Sequence, residues 1–174
     1  MAAPVVFDHG VQRRRRARAR ALGVETFLID RAAEDLAERL STVNRQFGVA
    51  ADLFTPTASG VETLKQSGKA QTILAVSAAD LGAGVSVPAI IAPEEMLPLR
   101  EGSLDLAVSL LALQSVNDLP GLLVQIRRAL KPDGLLLAAL LGGDTLTELR
   151  QAFAETEIEM EGGISPRVAP FADV

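Results

Sequence analysis

The sequence predicts an α/β fold in which N-terminal helices precede a mostly parallel β-sheet. Three observations predict this class. Residues 11–47 have a helical pattern, with apolar positions at helical spacing from Phe27 to Val43. Five short apolar runs follow from residue 49 onward, and helix-like stretches separate several of those runs. Strands that alternate with helices are typical of parallel sheets. The 174 residues amount to one domain's length, and we expect a helical segment at 1–47 and an α/β domain at 48–174.

The individual elements follow from local patterns. An apolar stripe over residues 27–43 predicts an amphipathic helix, and Gly23 separates it from a preceding arginine-rich helix. Apolar runs bounded by turn residues predict strands at 49–54, 72–76, 86–92, 104–111 and 135–141. Further helices are expected at 60–67, 119–130 and 145–159. Pro120 fits a first helical turn, Asp144 is the expected N-cap of the last helix, and Lys131–Gly134 predicts a turn.

Composition excludes several classes of function. The chain has no cysteine, so it carries no disulfide, thiolate metal site or cysteine nucleophile. Its one histidine, His9, rules out a multi-histidine metal site and is expected to be exposed. Six Phe without Tyr or Trp argue against stacking on single-stranded nucleic acid. The longest apolar run, residues 135–141, is far shorter than the ~20 residues of a membrane span.

Charge is divided unevenly along the chain. Residues 1–20 carry six Arg and one Asp, whereas the rest carries eleven Lys and Arg against twenty-one Asp and Glu. The arm Arg13–Arg20 is therefore a basic segment of an otherwise acidic chain. It is either the solvated face of a helix, as most charge runs are, or a contact for phosphates, anionic lipid or an acidic partner protein. The arm has no apolar segment or cleavage pattern of a targeting peptide.

A family resemblance rests on motifs in the second half of the chain. These are PEEMLPL at 93–99, SLDLAVSLLALQSVNDLP at 103–120, QIRRALKPDGLLLAALLGGDTLTELR at 125–150 and GGISPRVAPFADV at 162–174. The sequence resembles the class I S-adenosylmethionine-dependent methyltransferases. Within them it is similar to the alphaproteobacterial branch related to mitochondrial complex I assembly factor 5 and to the biotin-pathway carrier-protein methyltransferase. The resemblance implies a Rossmann-like sheet and S-adenosylmethionine as the cofactor.

The residues expected at the cofactor depart from the family pattern. The family places a glycine-rich loop after its first strand, because glycine lets the backbone approach the ligand. Here residues 52–58 keep the acid, Asp52, but have Phe54 and Ala58 at glycine positions. Ser77 stands where the family has a ribose-binding carboxylate. The adenine-binding aspartate is replaced by Pro93, although Glu94 and Glu95 follow and provide carboxylates nearby.

These positions define the candidate site that the resemblance implies. The cofactor-binding set comprises Asp52, Phe54, Ala58, Ser77, Glu94, Glu95 and Ser109, and the substrate-binding set comprises Gln114 and Asn117. Asn117 and Asp118 have the alternative role of a helix cap before Pro120. The segment Asp80–Val85 resembles a methyltransferase loop but leaves too little chain for the helix and strand that must follow, so we interpret it as a turn. No metal ligand set is predicted.

The resemblance supports two hypotheses of function. The first is methyl transfer to a small acceptor or a protein by an enzyme whose cofactor pocket is degenerate. The second is a non-catalytic or repurposed, hydroxylase-like factor that binds or assembles a respiratory complex I subunit, since one branch of the family is a protein-arginine hydroxylase. The expected location is the cytoplasm. If the basic arm binds anionic lipid, the protein would also lie at the inner face of the membrane.

The sheet is expected to be incomplete. The family has seven strands, of which five are counted here, so the strand at 135–141 would expose a very apolar edge. We therefore expect the chain either to be a fragment of a longer gene product that lacks the C-terminal strands, or to form a homodimer through this edge.

Overall fold

A computed structural model describes residues 5–23, 25–79 and 86–172 of the chain, without the side chain of residue 161. The helices are α1 (His9–Leu22), α2 (Phe27–Thr42), α3 (Ser59–Ser67), α4 (Leu119–Ala129) and α5 (Thr147–Glu161). The strands are β1 (Phe47–Leu53), β2 (Ala70–Ser77), β3 (Ala89–Ile91), β4 (Leu104–Leu110) and β5 (Leu130–Ala139). The segment Asp80–Val85, interpreted above as a turn, lies outside the described residues.

The five strands form one parallel sheet in the order β3-β2-β1-β4-β5. The predicted Rossmann-like α/β class is confirmed. Because β2 and β4 lie on either side of β1, the chain changes direction across the sheet at β1, and ligands of such sheets bind beyond the carboxyl ends of the strands at this point. In register, Asp52 near the end of β1 lies opposite Ala75 of β2 and Val108 of β4.

The sheet is packed on both faces. One buried cluster joins β1 and β4 to α2 and α3 and includes Leu36, Leu40 and Leu64. A second joins the other face to α4 and the segments around it and includes Leu122 and Ile126. This two-sided cover explains why the central strands are almost wholly apolar. The sheet lies in one of two compact units, Met1–Leu140, and α5 lies in the other, Leu141–Val174.

Several helix ends follow local chemistry. Gly23 ends α1 with φ of 87°, a conformation that glycine adopts without a Cβ clash. Asp118 caps α4 by accepting a hydrogen bond from the N–H of Gly121, with Pro120 in the first turn as predicted. The expected Asp144 cap is wrong: α5 begins at Thr147 and its N-cap is Leu146, with φ of 58°. The backbone carbonyl of Asp144, rather than its side chain, accepts hydrogen bonds from Thr147.

Two other boundaries differ from the prediction because tertiary contacts determine them. Residues 43–47 are not helical, since α2 ends at Thr42 and Phe47 starts β1. The predicted turn at Lys131–Gly134 is part of β5, where the pairing with β4 shifts register between Leu104 and Leu106. Lys131 is held there by an ion pair with Asp105 at 2.9 Å, and the extra residues form a bulge.

β5 is an edge strand of the sheet as described, with β4 as its one neighbour. Pairing of two copies along this edge stays a prediction, which light scattering tests. In the described part of the chain, no helix is long and apolar enough to span a membrane.

Candidate functional site

The candidate site lies at the carboxyl ends of β1, β2 and β4, where α1 crosses the rim of the sheet. Arg13 and Arg16 of α1 line the same small cavity as Phe54 and Ser77. At about 100° per residue, His9, Arg13, Arg16 and Arg20 share one face of α1. The remaining arginines, Arg14, Arg15 and Arg18, fall on the opposite face and are exposed. The helix therefore has an inward basic face and an outward basic face.

Asp52 is held beneath the loop that follows β1. Its side chain is 1% exposed and accepts hydrogen bonds from the Thr55 hydroxyl and from the backbone N–H of Val61 in the first turn of α3. A Cβ at Gly60 would lie 2.6 Å from the Asp52 carboxyl, so this close approach requires glycine. Burial raises the pKa of Asp52 to about 7, although the hydrogen bonds from Thr55 and Val61 act in the opposite direction.

Phe54 and Ser77 are the residues that the resemblance aligns with a glycine and an acid of the family. Phe54 has φ of 62° and is 3% exposed, so a buried ring is attached to backbone in the conformation that favours glycine. Its N–H donates to the carbonyl of Val76. The Ser77 hydroxyl donates to the carbonyl of Ala79 at 2.7 Å, so it is engaged within its own turn.

Glu94 is a second buried carboxylate of the site. Its side chain is 3% exposed, and cationic groups of α1 approach both of its oxygens. Arg16 lies 3.6 Å from Oε1 and Arg13 lies 3.7 Å from Oε2, while Nδ1 of His9 lies 3.9 Å from Oε2. These separations are ion-pair distances but exceed the ~2.7–2.9 Å of a charge-assisted hydrogen bond.

Asn117 fastens the segment before α1 to the rim. Its Oδ1 accepts hydrogen bonds from the N–H groups of Val6 and Phe7, both at 2.7 Å, and its Nδ2 donates to the carbonyl of Phe7 at 3.1 Å. Glu95 Oε1 accepts from the backbone N–H of Asn117 at 2.8 Å and lies 2.9 Å from Nε2 of His9. The hydrogen bond with His9 is the main cause that lowers the pKa of Glu95.

The expected exposure of His9 is therefore wrong, because its side chain is 20% exposed and its ring lies between Glu94 and Glu95.

The docking of α1 leaves several buried polar atoms without hydrogen bonds. Within the described residues, buried side-chain atoms that lack a partner include both carboxylate oxygens of Glu94, Nδ1 of His9, Oε1 of Gln12 and Oε1 of Gln114. Glu94, His9 and Gln12 lie where α1 meets the rim, or on α1 itself. Buried polar groups in folded proteins nearly always have partners, so each exception calls for an explanation.

The other candidate residues lie near the rim but present little free chemistry. Ala58 precedes α3 and its carbonyl accepts from Glu62. Ser109 is fully buried and its hydroxyl donates to the carbonyl of Leu53, which ties β4 to β1. The Gln114 amide donates to the carbonyl of Leu111. Within the described residues, no group of acidic or histidine side chains is arranged to hold a metal ion.

The inward face of α1 is the part of the site that sequence reasoning missed. The sequence alone predicts an exposed His9 and leaves Arg13 and Arg16 within a basic arm of open role, whereas all three side chains contact Glu94. Their spacing at i, i+4 and i+7 places them on one helical face and is the signal that distinguishes them from Arg14 and Arg15.

The parallel sheet with β1 at its switch point, and an acid near the end of β1, fit the class I S-adenosylmethionine-dependent methyltransferase fold. A sequence model described as a methyltransferase domain matches residues 48–138, more than half of the chain. The chain belongs to this methyltransferase family.

Individual relatives agree with this assignment. The human protein named arginine-hydroxylase NDUFAF5, mitochondrial, is 36% identical over 177 residues, which cover 97% of this chain and 51% of the relative. A malonyl-[acyl-carrier protein] O-methyltransferase of Gallionella capsiferriformans is 53% identical over 64 residues, 37% of this chain and 22% of the relative. This chain spans about half the length of the NDUFAF5 relatives that it matches along most of its own length.

A solved S-adenosylmethionine-dependent methyltransferase from Mesorhizobium loti has the same fold. It aligns with a TM-score of 0.50 at 21% identity and covers 63% of this chain and 54% of its own.

S-adenosylmethionine is the cofactor that the family and the shared fold indicate, and the residues present here do not fit it. The cavity beneath α1 has a volume of about 40 Å³, whereas pockets for ligands of this size hold ~300 Å³ or more. The Phe54 ring is packed where the backbone would have to approach the ligand, and Ser77 provides no charged acceptor. Arginines line the cavity, and their charge opposes a positively charged sulfonium.

Proposed function

We propose that this chain is a repurposed, hydroxylase-like member of the methyltransferase family that recognises an arginine-bearing protein partner during assembly of a respiratory complex. The observation that carries the proposal is α1, which lies across the cofactor cleft with Arg13 and Arg16 against buried Glu94. A cleft that holds guanidinium groups against a carboxylate suits recognition of a protein side chain better than binding of a sulfonium cofactor.

The relatives also support a hydroxylase-like function. Those that align with most of this chain carry the name arginine-hydroxylase, at 33–39% identity, and the motifs at 93–150 resemble a complex I assembly factor. Because this chain spans about half of their length, their activity and their partner come to it as a proposal.

Methyl transfer is the second candidate. It is supported by the family match over residues 48–138 and by Asp52, which keeps the acid of the family's loop at the end of β1. This function requires α1 to leave the rim, since the cavity beneath it is too small for the cofactor.

Mass spectrometry separates the two candidates. We expect deletion of the gene to impair complex I assembly, and we expect complex I subunits from cells that carry the gene to show no gene-dependent methyl group. We also expect calorimetry to detect weak or no S-adenosylmethionine binding. Micromolar binding together with a gene-dependent methyl group would overturn the proposal in favour of methyl transfer.

We further propose that the outward face of α1 contacts an anionic lipid surface, which would place the protein at the cytoplasmic face of the membrane. Arg14, Arg15 and Arg18 are exposed, and Leu22 on the same face is 76% exposed. Exposed basic side chains grouped on one helical face are attracted to anionic lipid head groups by charge.

Vesicle flotation with phosphatidylglycerol and with phosphatidylcholine tests this contact. The parent protein should bind the anionic vesicles in low salt and lose them as salt rises. The variant with Arg14 and Arg15 changed to Ala should lose most of its binding, whereas the matched change of Arg13 and Arg16 to Ala, which removes the same charge, should retain it. Equal losses in both variants would assign the effect to net charge alone.

A further inference from the structure

We infer that Glu94 recognises the guanidinium of the partner's arginine, and that Arg13 and Arg16 of α1 occupy Glu94 in the closed state as an internal substitute for it. The inference rests on the proposed recognition of an arginine-bearing partner and identifies the residues that perform it. In the closed state α1 lies on the rim and its own arginines face Glu94. In the open state α1 has left the rim and the partner's arginine faces Glu94 instead.

The first argument is the unsatisfied state of Glu94. A carboxylate that is 3% exposed loses most of its hydration, and a buried charge needs both an opposite charge and hydrogen bonds. Glu94 has the opposite charges, yet among the described residues neither of its oxygens has a hydrogen-bond partner. Two separate guanidinium groups each approach a different oxygen at 3.6 and 3.7 Å. A single guanidinium that donates to both oxygens satisfies the carboxylate better than this arrangement.

The second argument is that α1 is attached weakly enough to be displaced. None of its residues is buried, so its removal exposes little apolar surface. The polar contacts that hold it include the ion pairs of Arg13 and Arg16 with Glu94 and the hydrogen bond between His9 and Glu95. They also include a hydrogen bond from Arg16 to the Ser115 hydroxyl at 3.4 Å and the contacts of the Asn117 amide with residues 6, 7 and 9. An external ligand that repeats these contacts competes with α1 directly.

The third argument explains why the ligand is a protein segment and not free arginine. Asn117 binds peptide backbone, since its amide accepts from two main-chain N–H groups and donates to one main-chain carbonyl. A partner segment could bind at both residues: its main chain would replace residues 6–7 on Asn117, and its arginine side chain would face Glu94. Lysine is a poor substitute because its ammonium is a point charge and lacks the planar fork that engages two oxygens together.

Fluorescence anisotropy with short, otherwise uncharged peptides tests the inference. The peptides are acetylated and amidated, and they carry one arginine, one lysine or one citrulline at the same position. The variant with Arg13→Ala and Arg16→Ala should bind the arginine peptide roughly tenfold or more tightly than the parent does. In the same variant the lysine peptide should bind markedly more weakly, and the citrulline peptide should not bind.

The matched control removes two charges from the other face of α1. Arg14→Ala with Arg15→Ala lowers the net charge equally and should leave the affinity of the arginine peptide unchanged. Adding Glu94→Gln to the Arg13 and Arg16 variant should abolish the gain, and Glu94→Asp, which keeps the charge, should reduce the preference for arginine over lysine. Circular dichroism of each variant confirms that it is folded.

Three outcomes overturn the inference: an equal gain from both pairs of arginine substitutions, equal binding of the lysine and arginine peptides, or an arginine affinity that is indifferent to Glu94→Gln. Each readout is free of cofactor and of respiratory complex. If the peptide test gives one of these outcomes while complex I assembly still depends on the gene, Glu94 is rejected as the recognition residue and the proposed function stands.

Discussion

Replacing Asn117 with alanine is expected to release α1 from the rim of the sheet. The substitution removes three hydrogen bonds to the main chain of Val6 and Phe7. Each contributes about 0.5–1.5 kcal/mol, and because the site is partly exposed we take the lower half of that range, which sums to about 2 kcal/mol. Since 1.4 kcal/mol is tenfold in an equilibrium constant, the population with α1 undocked should rise roughly 30-fold.

Hydrogen exchange and limited trypsin digestion measure this release. The amides of α1 should exchange roughly 30-fold faster in Asn117→Ala than in the parent, and cleavage at the arginines of α1 should accelerate while α2 and the central strands keep their protection. Asp35→Ala is a suitable control, because it removes an exposed ion pair with Arg39 on α2 and should leave α1 unchanged. Unchanged exchange in α1, or an equal loss of protection throughout the sheet, would refute the reasoning.

Three further predictions concern the rim and its supports. The pKa of Asp52 is raised from 3.8 to about 7, so the folded state binds the proton more tightly than the unfolded state does. The free energy of unfolding should therefore fall by up to about 4 kcal/mol as pH rises from about 4 to 7, and it should level off above about pH 7. Urea unfolding of Asp52→Asn should lack this slope, and a parent protein with flat stability over that range would contradict the assignment. Phe54→Gly with Ser77→Asp should partly restore S-adenosylmethionine binding in calorimetry, because it frees the backbone and adds a charged acceptor; no gain over the parent would mean that α1 alone closes the cleft. Gly60→Ala should destabilise the protein in thermal melts, because its Cβ would lie 2.6 Å from the Asp52 carboxyl; an unchanged melting temperature would show that the loop adjusts freely.

The sheet was predictable because its signals are local. Apolar runs bounded by turn residues identify β1, β2 and β4 to within a few residues, and Pro120 and Gly23 mark helix boundaries through their own backbone chemistry. The errors occur where distant contacts decide. β5 begins at Leu130, before the apolar run at 135–141, because Leu130 pairs with Leu104 of β4, and no local pattern indicates that pairing.

The rim was predictable only in part, for the same physical reason. Phe54, Ser77 and Glu94 could be assigned to the cleft through the family resemblance, which aligns them with cofactor-binding positions. The side chains that fill the cleft come from α1, whose partners are far away in sequence: His9 and Glu95 are 86 residues apart, and Phe7 and Asn117 are 110 apart. A run of arginines gives no local indication of which members meet a buried acid, and the helical spacing becomes informative only once that acid is located.

This sequence separation has a consequence for synthesis on the ribosome. The first turns of α1 emerge early, but their anchor, Asn117, is made 110 residues after Phe7. At ~5–20 residues per second, the arginine helix remains undocked for roughly 5–20 s while the sheet is being completed. During that interval both of its basic faces are open to the surroundings of the nascent chain. Closure of the rim is therefore a late event in folding, and anything that captures the helix before then competes with the native fold itself.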